Sequence, residues 1–318
     1  MKDVAIRADV ALGTVSRIIN GNETVAPELR AHVLKVIDDL GYRPNTVART
    51  MRTNRTEAVG IVVTDIRQPI AAEMVAAATD VLRAQGYAPI VGDFRNDTDS
   101  EAQLWRFMAE RNVDGLLLTL SSDEDPALLA RLRALGVPVV LWERDADGAF
   151  PSVRSDHRRG TRLAAAHLQA AGRRRVLLVA GHENTWTGRE QIAGLREGLG
   201  PEAVMSVVHT GRFRHEALGL ATPMRPDAVV ANIHDIPAIL TAIRAAGLTC
   251  PGDVAVVSIG DSPFLEVCDP PVTAIRIRPD LVGRAAALAL VRRLNPAAGG
   301  QGRNTGLIAP EFCPRASG

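Results

Sequence analysis

Strand and helix patterns alternate along most of the chain, from residue 58 onward. Short apolar runs with the character of buried strands are separated by longer segments with helical spacing. Such alternation is typical of parallel strands joined by covering helices. The pattern pauses in a loop and then restarts, so we expect two doubly wound subdomains with a cleft between them. The predicted strands are 58–63, 87–91, 115–120, 137–141, 176–179, 204–208, 228–231 and 254–259, and the predicted helices are 70–84, 101–111, 126–135, 161–171, 191–199 and 236–246.

The first twenty residues carry a different pattern. Apolar residues fall at helical spacing on either side of a break at Asp9, which predicts two short helices joined by a tight turn. The second helix should run from about Leu12 to Ile19. The polar side of this helix that faces outward suits the DNA major groove, where an Arg side chain can bind both acceptors of a guanine. Arg17 is the predicted base-reading residue. The predicted outer residues are Leu12, Gly13, Thr14, Ser16, Arg17 and Asn20. The alternative is a small amphipathic helix pair whose polar side chains are only solvated.

A third helix is predicted from Pro27, where proline suits the first turn, to a stop at Gly41. The segment that follows is basic, because Arg49, Arg52 and Arg55 occur with no acidic residue before position 57. Cations in this pattern suit contacts with DNA phosphates. A basic, disordered linker between two domains remains the alternative for this segment.

The order of these residues resembles the lactose-repressor (LacI/GalR) family of bacterial transcription regulators. The motifs that carry the resemblance are Asp3-Val4-Ala5, Ala8, Thr14-Val15-Ser16-Arg17, Asn20-Gly21, Gly41-Tyr42-Arg43-Pro44-Asn45 and Ala48-Arg49. It continues in the body at Val113-Asp114-Gly115-Leu116, Gly136-Val137-Pro138 and Pro251-Gly252-Asp253-Val254. Three positions in the first three helices and their turns depart from the family pattern: Asp9 stands where Gly is usual, and Ala11 and Ala26 stand where a capping Ser is usual.

The resemblance implies a hinge helix from Asn45 to Arg52 that pairs with its dimer mate in the minor groove. Asn45, Ala48 and Arg49 would contact DNA there, and Met51 would wedge into the central base step, where the family usually has Leu. Because about eight residues are too few for a stable isolated helix, we expect this segment to fold only on DNA. A homodimer on an inverted-repeat operator of double-stranded DNA is the implied assembly.

The resemblance also implies an order of domains. A helix-turn-helix head covers residues 1–43, and the hinge helix and linker cover 44–57. The effector-binding and dimerisation core, 58–318, resembles periplasmic sugar-binding proteins, with three chain crossings near Ser155, Arg278 and Asn304. The expected N-subdomain covers about 58–155 plus 279–303, and the C-subdomain about 156–278 plus 304–318.

Candidate effector-binding residues follow position by position. The family often has an aromatic ring at Ile70, a ligand-gripping Arg at Gln191, and an Asp in place of Ile233, beside Asn232. The expected effector is small and polar: a sugar, sugar acid or sugar phosphate. The missing Arg and Asp favour a sugar acid or sugar phosphate over a neutral sugar, held by Arg and His with a Trp stacked on a ring face. The alternative is that these are rim residues, solvated or paired with each other. The predicted effector-binding residues are Ile70, Glu143, Asp156, Arg189, Gln191, Asn232 and Asp261.

Other classes of protein fit the sequence less well. Residues 1–57 carry nine Lys or Arg against seven Asp or Glu, and the remainder carries 28 against 29, which favours a small DNA reader on a neutral body. The chain has no G-x-G-x-x-G after a first strand and no G-x-x-x-x-G-K-[ST], so a nucleotide-using α/β enzyme is disfavoured. A periplasmic-type sugar-binding protein would need an export signal and no helix-turn-helix. The three cysteines are scattered and form no metal-ligand group, so we expect no metal site and no cofactor. No apolar run approaches the length needed to span a membrane, and we expect a cytoplasmic protein.

Overall fold

The computed structural model describes residues 1–19, 24–42, 55–95, 97–209, 225–295 and 305–318. The chain divides into two compact units, Met1–Thr56 and Glu57–Gly318, called the head and the body.

The described residues of the head form a cluster of three helices. A small core of apolar side chains, including Val4, Val15 and Val33, lies between the helices. Asp9 has a φ of 51°, so the turn between the first two helices uses the left-handed backbone that Asp tolerates better than most residues. The helices are α1 (Lys2–Arg7), α2 (Leu12–Ile19) and α3 (Pro27–Asp39).

The body holds two mainly parallel sheets, each covered by helices on both faces. In the described residues the first sheet has the order β11-β5-β4-β3-β1-β2 and is parallel throughout. Its elements are β1 (Ala58–Val63), α4 (Pro69–Ala84), β2 (Ala88–Asp93), α5 (Thr98–Glu110), β3 (Gly115–Leu118), α6 (Pro126–Arg133), β4 (Val139–Trp142), β5 (Ser152–Ser155), α11 (Pro279–Leu294) and β11 (Thr305–Ile308).

The second sheet has the order β12-β10-β9-β8-β6-β7, and only β12 runs antiparallel to its neighbour among these strands. Its elements are α7 (His157–Ala170), β6 (Arg175–Ala180), α8 (Trp186–Gly198), β7 (Val204–His209), β8 (Ala228–Asn232), a 3-10 turn (Ile233–Asp235), α9 (Ile236–Ala245), β9 (Ala255–Ile259), α10 (Pro263–Glu266), β10 (Thr273–Arg276) and β12 (Glu311–Cys313). Apolar clusters fill both faces of both sheets.

The chain crosses between the subdomains three times. The first two crossings follow β5 and β10, beside Ser155 and Arg278. The third differs from the expectation near Asn304, because β11 pairs in parallel with β5 in the first sheet and only β12 belongs to the second. The crossing therefore lies at residues 309–310, and 305–308 belong to the N-subdomain.

Helix α11 completes the first subdomain and has no counterpart among the predicted helices. Val282, Ala286 and Leu290 pack with Met74 of α4 and with the inner face of the sheet in one core. An added Cβ at Gly283 would collide with the backbone carbonyl of Met74, so α4 and α11 touch backbone to backbone. This close packing holds the start of α4, which borders the cleft, against the sheet.

Candidate DNA-reading helix and effector cleft

Helix α2 presents one side to solvent. Val15 and Ile18 are buried in the head's core, whereas Leu12 is 45% exposed and Gly13 and Arg17 are exposed as well. Thr14 and Ser16 are half-buried beside them. The helix therefore exposes three of the six residues predicted to face DNA and partly exposes two more.

Arg17 lies along this surface. Its Nε donates to the carbonyl oxygen of Gly13, one turn earlier, at 3.3 Å. This weak, exposed bond leaves the rest of the guanidinium able to reach a base. The other predicted DNA contacts, Asn20, Asn45, Ala48, Arg49 and Met51, lie outside the described residues, as does the hinge helix.

The body contains a cleft of about 860 Å³ of empty volume, counting its open mouth. It lies at the carboxyl ends of β1, β3, β4, β6 and β8, where ligands bind in sheets of this kind. Both subdomains line it. The lining residues are Val63, Thr64, Gln68, Ile70, Ala71, Met74, Thr119, Glu143, Arg144, His157, Gly181, His182, Thr185, Thr187, Gln191, Asn232, His234 and Ile277.

Ile70 forms the apolar floor at the start of α4. Its side chain packs against the core of the first subdomain and against both cores of the second. Gly260, after β9, comes close enough that an added Cβ would lie 2.8 Å from Ile70 Cδ1. One aliphatic side chain therefore touches both halves of the body at the base of the cleft.

Glu143 follows β4 and is 7% exposed, in the left-handed region with a φ of 54°. Its Oε1 accepts hydrogen bonds from Ser155 N at 3.0 Å and Ser155 Oγ at 2.7 Å, and its Oε2 lies 2.5 Å from His157 Nε2. Burial alone would raise the pKa of Glu143, but His157 and the hydrogen bonds from His157 and Ser155 hold the pKa below its ordinary value. The carboxylate is thus ionised and fully used by protein groups.

Ser155 joins two crossings. Its Oγ lies 2.7 Å from Glu143 Oε1 and also 2.7 Å from the carbonyl oxygen of Ile277, which lies in the second crossing. A hydroxyl has one proton, so it donates to one of these acceptors at a time.

Arg144 lies beside Glu143 and is half-buried. Its Nε donates to Leu120 O at 2.6 Å and its Nη1 to Glu143 O at 2.7 Å, while Thr187 Oγ1 is 3.4 Å away. Burial lowers the pKa of the Arg144 guanidinium, partly opposed by nearby carboxylates of which Asp123 is the strongest. Nη2 has no hydrogen-bond partner among the described residues, so it is the guanidinium nitrogen that can still bind a ligand.

Gln191 is 1% exposed, and both the oxygen and the nitrogen of its amide form hydrogen bonds within the protein. Its Oε1 accepts from Gly181 N at 2.8 Å, and its Nε2 donates to Asn232 Oδ1 at 3.1 Å. Asn232 in turn donates to Val179 O at 3.3 Å. Gln191 therefore holds Asn232 and the end of β6 in place on the wall of the cleft.

Three predicted effector residues lie outside the cleft wall. Asp156 caps α7 by accepting from Arg159 N at 2.9 Å, and its own N donates to Ile308 O at 2.8 Å. Arg189 donates to Asp123 Oδ1 at 3.0 Å, on the first subdomain. Asp261 pairs with Arg276 and Arg315 of the second subdomain. The cleft brings together Ile70, Glu143, Gln191 and Asn232 from the predicted set.

Asp261 lies two residues after the end of β9. It pairs with Arg276 at 2.8 Å and with Arg315 at 2.9 Å. Burial alone would raise its pKa, but hydrogen bonds from these two arginines hold the pKa of Asp261 below its ordinary value. The carboxylate is thus a structural ion pair within the second subdomain.

Neither Trp142 nor Trp186 belongs to the lining described above, so the predicted ring stacking has no support from either. Trp142 is fully buried in the core of the first subdomain, and Trp186 packs against His157 and Arg154. Sequence reasoning missed Thr119 and Thr187, which line the cleft. Thr119 directly follows β3, so the rule that ligands bind at strand carboxyl ends could have found it.

The described parts of the chain hold no group of three or more His, Cys, Asp or Glu side chains that could bind a metal ion. None of the helices in those parts has the length and apolar character needed to cross a membrane.

Comparisons with known proteins match both units of the chain. The model of bacterial regulatory proteins of the lacI family matches residues 1–45, and that of the periplasmic binding protein-like domain matches 165–318. The HTH-type transcriptional regulator CelR of Thermobifida fusca is 36% identical over 92% of this chain and 90% of its own length. A solved CelR-cellobiose complex is 30% identical, with a TM-score of 0.71 over 99% of this chain and 98% of that one. The lac repressor dimer bound to operator shares the fold at 23% identity and a TM-score of 0.83, over 99% and 97% of the two chains.

A helix-turn-helix head followed by a two-subdomain core with a ligand cleft defines a DNA-binding transcriptional regulator with a sensor domain. The relatives with this arrangement are regulators of transcription. The chain belongs to the LacI family of bacterial regulatory proteins.

Proposed function

We propose that the protein is a homodimeric repressor that binds an inverted-repeat operator in the cytoplasm and releases it in response to a small polar effector. The observation that carries the proposal is the exposed side of α2, which carries Arg17, in a chain whose body also contains a cleft lined by both subdomains. A two-fold dimer places two such helices on a palindromic site. Binding, without catalysis, is the proposed activity.

The effector is proposed to be carbohydrate-derived. The cleft offers an apolar floor at Ile70 and Met74, hydroxyl groups at Thr64 and Thr119, and the open end of Arg144. This mixture suits a small molecule with a ring face and several oxygens. Among the described lining residues Glu143 is the one carboxylate, and it is bound by Ser155 and His157. Oxygens of a sugar acid or sugar phosphate therefore suit Arg144 as well as neutral hydroxyl groups do.

DNA reading is tested with Arg17→Ala. Purified protein would first select genomic fragments at about 150 mM salt, which suppresses purely electrostatic binding, and these are searched for an inverted repeat. Arg17→Ala should then weaken binding to that repeat by about 1 to 3 kcal/mol and binding to random DNA little. Arg7→Ala, which removes an exposed charge from α1, is the matched control. Equal losses on both DNAs would remove Arg17 from base reading, and no enriched repeat would refute sequence-specific binding.

Effector response is tested with Gln191→Ala. Operator release by cellobiose, gluconate and glucose 6-phosphate is measured for the wild type, and the active compound is retested on the variant. The variant should bind operator normally and need more effector, because Asn232 loses the bond that orients it. Gln85→Ala, at the exposed end of α4, is the control. An unchanged response would remove Gln191 from the working cleft.

A further inference from the structure

The loop between β3 and α6 reaches from the first subdomain to the second. The Asp123 carboxylate in this loop accepts from the backbone N of Trp186, at 3.0 Å to Oδ1 and 2.8 Å to Oδ2. It also accepts from Arg189 Nη2 at 3.0 Å. Trp186 is the first residue of α8, so an acidic side chain of one subdomain binds the start of a helix in the other. We call the contacts of Asp123 with Trp186 and Arg189 the clasp.

The clasp is buried and charged. The Asp123 side chain is 0% exposed, whereas the Arg189 side chain is 35% exposed. Both oxygens of the carboxylate are used, since Oδ2 also accepts from Asp145 N at 3.1 Å, within the first subdomain. A carboxylate suits the positive end of α8 and the neighbouring guanidinium, and bonds of this charge-assisted kind are stronger than neutral ones.

Further hydrogen bonds between the subdomains lie beside the clasp. Asp123 N and Ser122 Oγ each donate to Asn184 O at 3.3 Å. Thr187 Oγ1 donates to Glu143 O at 2.7 Å, which again joins the second subdomain to the first. Thr187 and Glu143 also line the cleft, so the clasp lies on the rim of the effector site.

Arg189 therefore has a partner in the protein itself. Its Nη1 lies 3.0 Å from Glu124 Oε1, and its Nη2 is bound to Asp123. The contacts across this rim are made between protein atoms. A side chain that sequence similarity assigned to the effector is used here to join the subdomains.

We propose that Asp123 and Arg189 hold the two subdomains closed over the cleft in the absence of effector, and that they are positioning residues for the effector response. In this proposal the clasp raises the population of protein whose subdomains are closed, before any effector binds. The effector then binds a conformation that is already populated. Loss of the clasp opens the ligand-free protein and weakens effector binding in proportion to the fraction that remains closed.

The test measures the separation of the subdomains in the full chain without DNA or effector. Arg131→Cys on α6 and Arg196→Cys on α8 carry spin labels, because both positions are exposed and flank the clasp. The three native cysteines are replaced by alanine. Electron spin resonance then gives the distribution of label distances for each variant.

Asp123→Ala should raise the ratio of open to closed protein at least ~10-fold, the scale expected for losing hydrogen bonds to a charged group. Asp125→Ala is the matched control, because its carboxylate caps α6 within the first subdomain by accepting from Ala127 N at 2.8 Å. It should leave the distances unchanged. Adding Arg189→Ala to Asp123→Ala should change little, since the two side chains act as one unit.

A second variant decides the question if Asp123→Ala fails to fold. Arg189→Gln removes one partner at a partly exposed position and should shift the distances in the same direction by a smaller amount. Wild-type distances in the folded variants would overturn the proposal. Operator binding is measured separately on the same proteins, so a failure of the proposed function is distinguishable from a failure of the clasp.

Discussion

Replacing Glu101 with glutamine should change how the stability of the body depends on pH. Glu101 lies in the first turns of α5, is fully buried, and accepts hydrogen bonds from Ser121 N at 3.1 and 3.3 Å and from Ser121 Oγ. Burial raises the pKa of this carboxyl from 4.5 to about 7, against the opposing effects of the Ser121 bonds and the Arg144 charge. Since the raised pKa means that the folded protein binds the proton more tightly, Glu101 stabilises the fold most below pH 4.5, and this contribution is lost as the pH rises through 7.

The size of the effect follows from the shift. A difference of about 2.5 pKa units, at 1.36 kcal/mol each, corresponds to about 3 kcal/mol of unfolding free energy. About 2.5 kcal/mol of that change falls between pH 5 and pH 8. Glu101→Gln keeps the shape of the side chain but does not titrate. The stability of the wild type relative to this variant should therefore fall by that amount over the interval.

Urea unfolding followed by circular dichroism at pH 5, 6, 7 and 8 measures the difference, with equal m-values required for a valid comparison. Glu110→Gln, at the far and exposed end of α5, is the control and should show no such trend. A difference between wild type and Glu101→Gln that stays constant with pH would refute the assignment of a raised pKa to this carboxyl.

Three further substitutions test the packing and the capping of the helices. Gly283→Ala should destabilise the body, because its Cβ would collide with the carbonyl of Met74; thermal melting checks this, and an unchanged midpoint would contradict the backbone contact. Leu290→Ala should lower the free energy of unfolding by about 2 to 5 kcal/mol, because the side chain is fully buried. A loss below about 1 kcal/mol in urea unfolding would show that the neighbouring side chains fill the cavity. Ala26→Ser should stabilise the head by about 1 kcal/mol, because Ala26 caps α3 without a side-chain hydrogen bond, and calorimetry showing no gain would mean that the serine does not bind the helix start.

The elements that show one clear period were predicted closely. Helix α2 and strand β1 occupy the predicted residues, because one has a single apolar face and the other is a short apolar run. Helix α11 was missed, since it is covered by both α4 and the sheet and its buried residues do not form a single stripe. Strand β5 was missed as well, because the sequence Ser-Val-Arg-Ser shows no apolar run.

The site was predictable in place but not in its contacts. The cleft lies at strand carboxyl ends, which follows from the order of strands alone. Whether a polar side chain in that region faces a ligand depends on residues far along the chain. Arg189 binds Asp123, 66 positions away, and no local pattern connects them.

The hydrogen bonds at the crossings should restrict how the two subdomains move relative to each other. Ser155 connects the first crossing to the second at Ile277, and Asp156 N connects it to the end of β11 at Ile308. Three separate crossing segments could twist independently. Crossing segments that are hydrogen-bonded side by side instead behave as one narrow ribbon. Rotation about a line across that ribbon is its softest deformation, while sliding or twisting would break the bonds. The subdomains should therefore open and close by rotation about one hinge axis, with the angle between them as the only quantity that changes much.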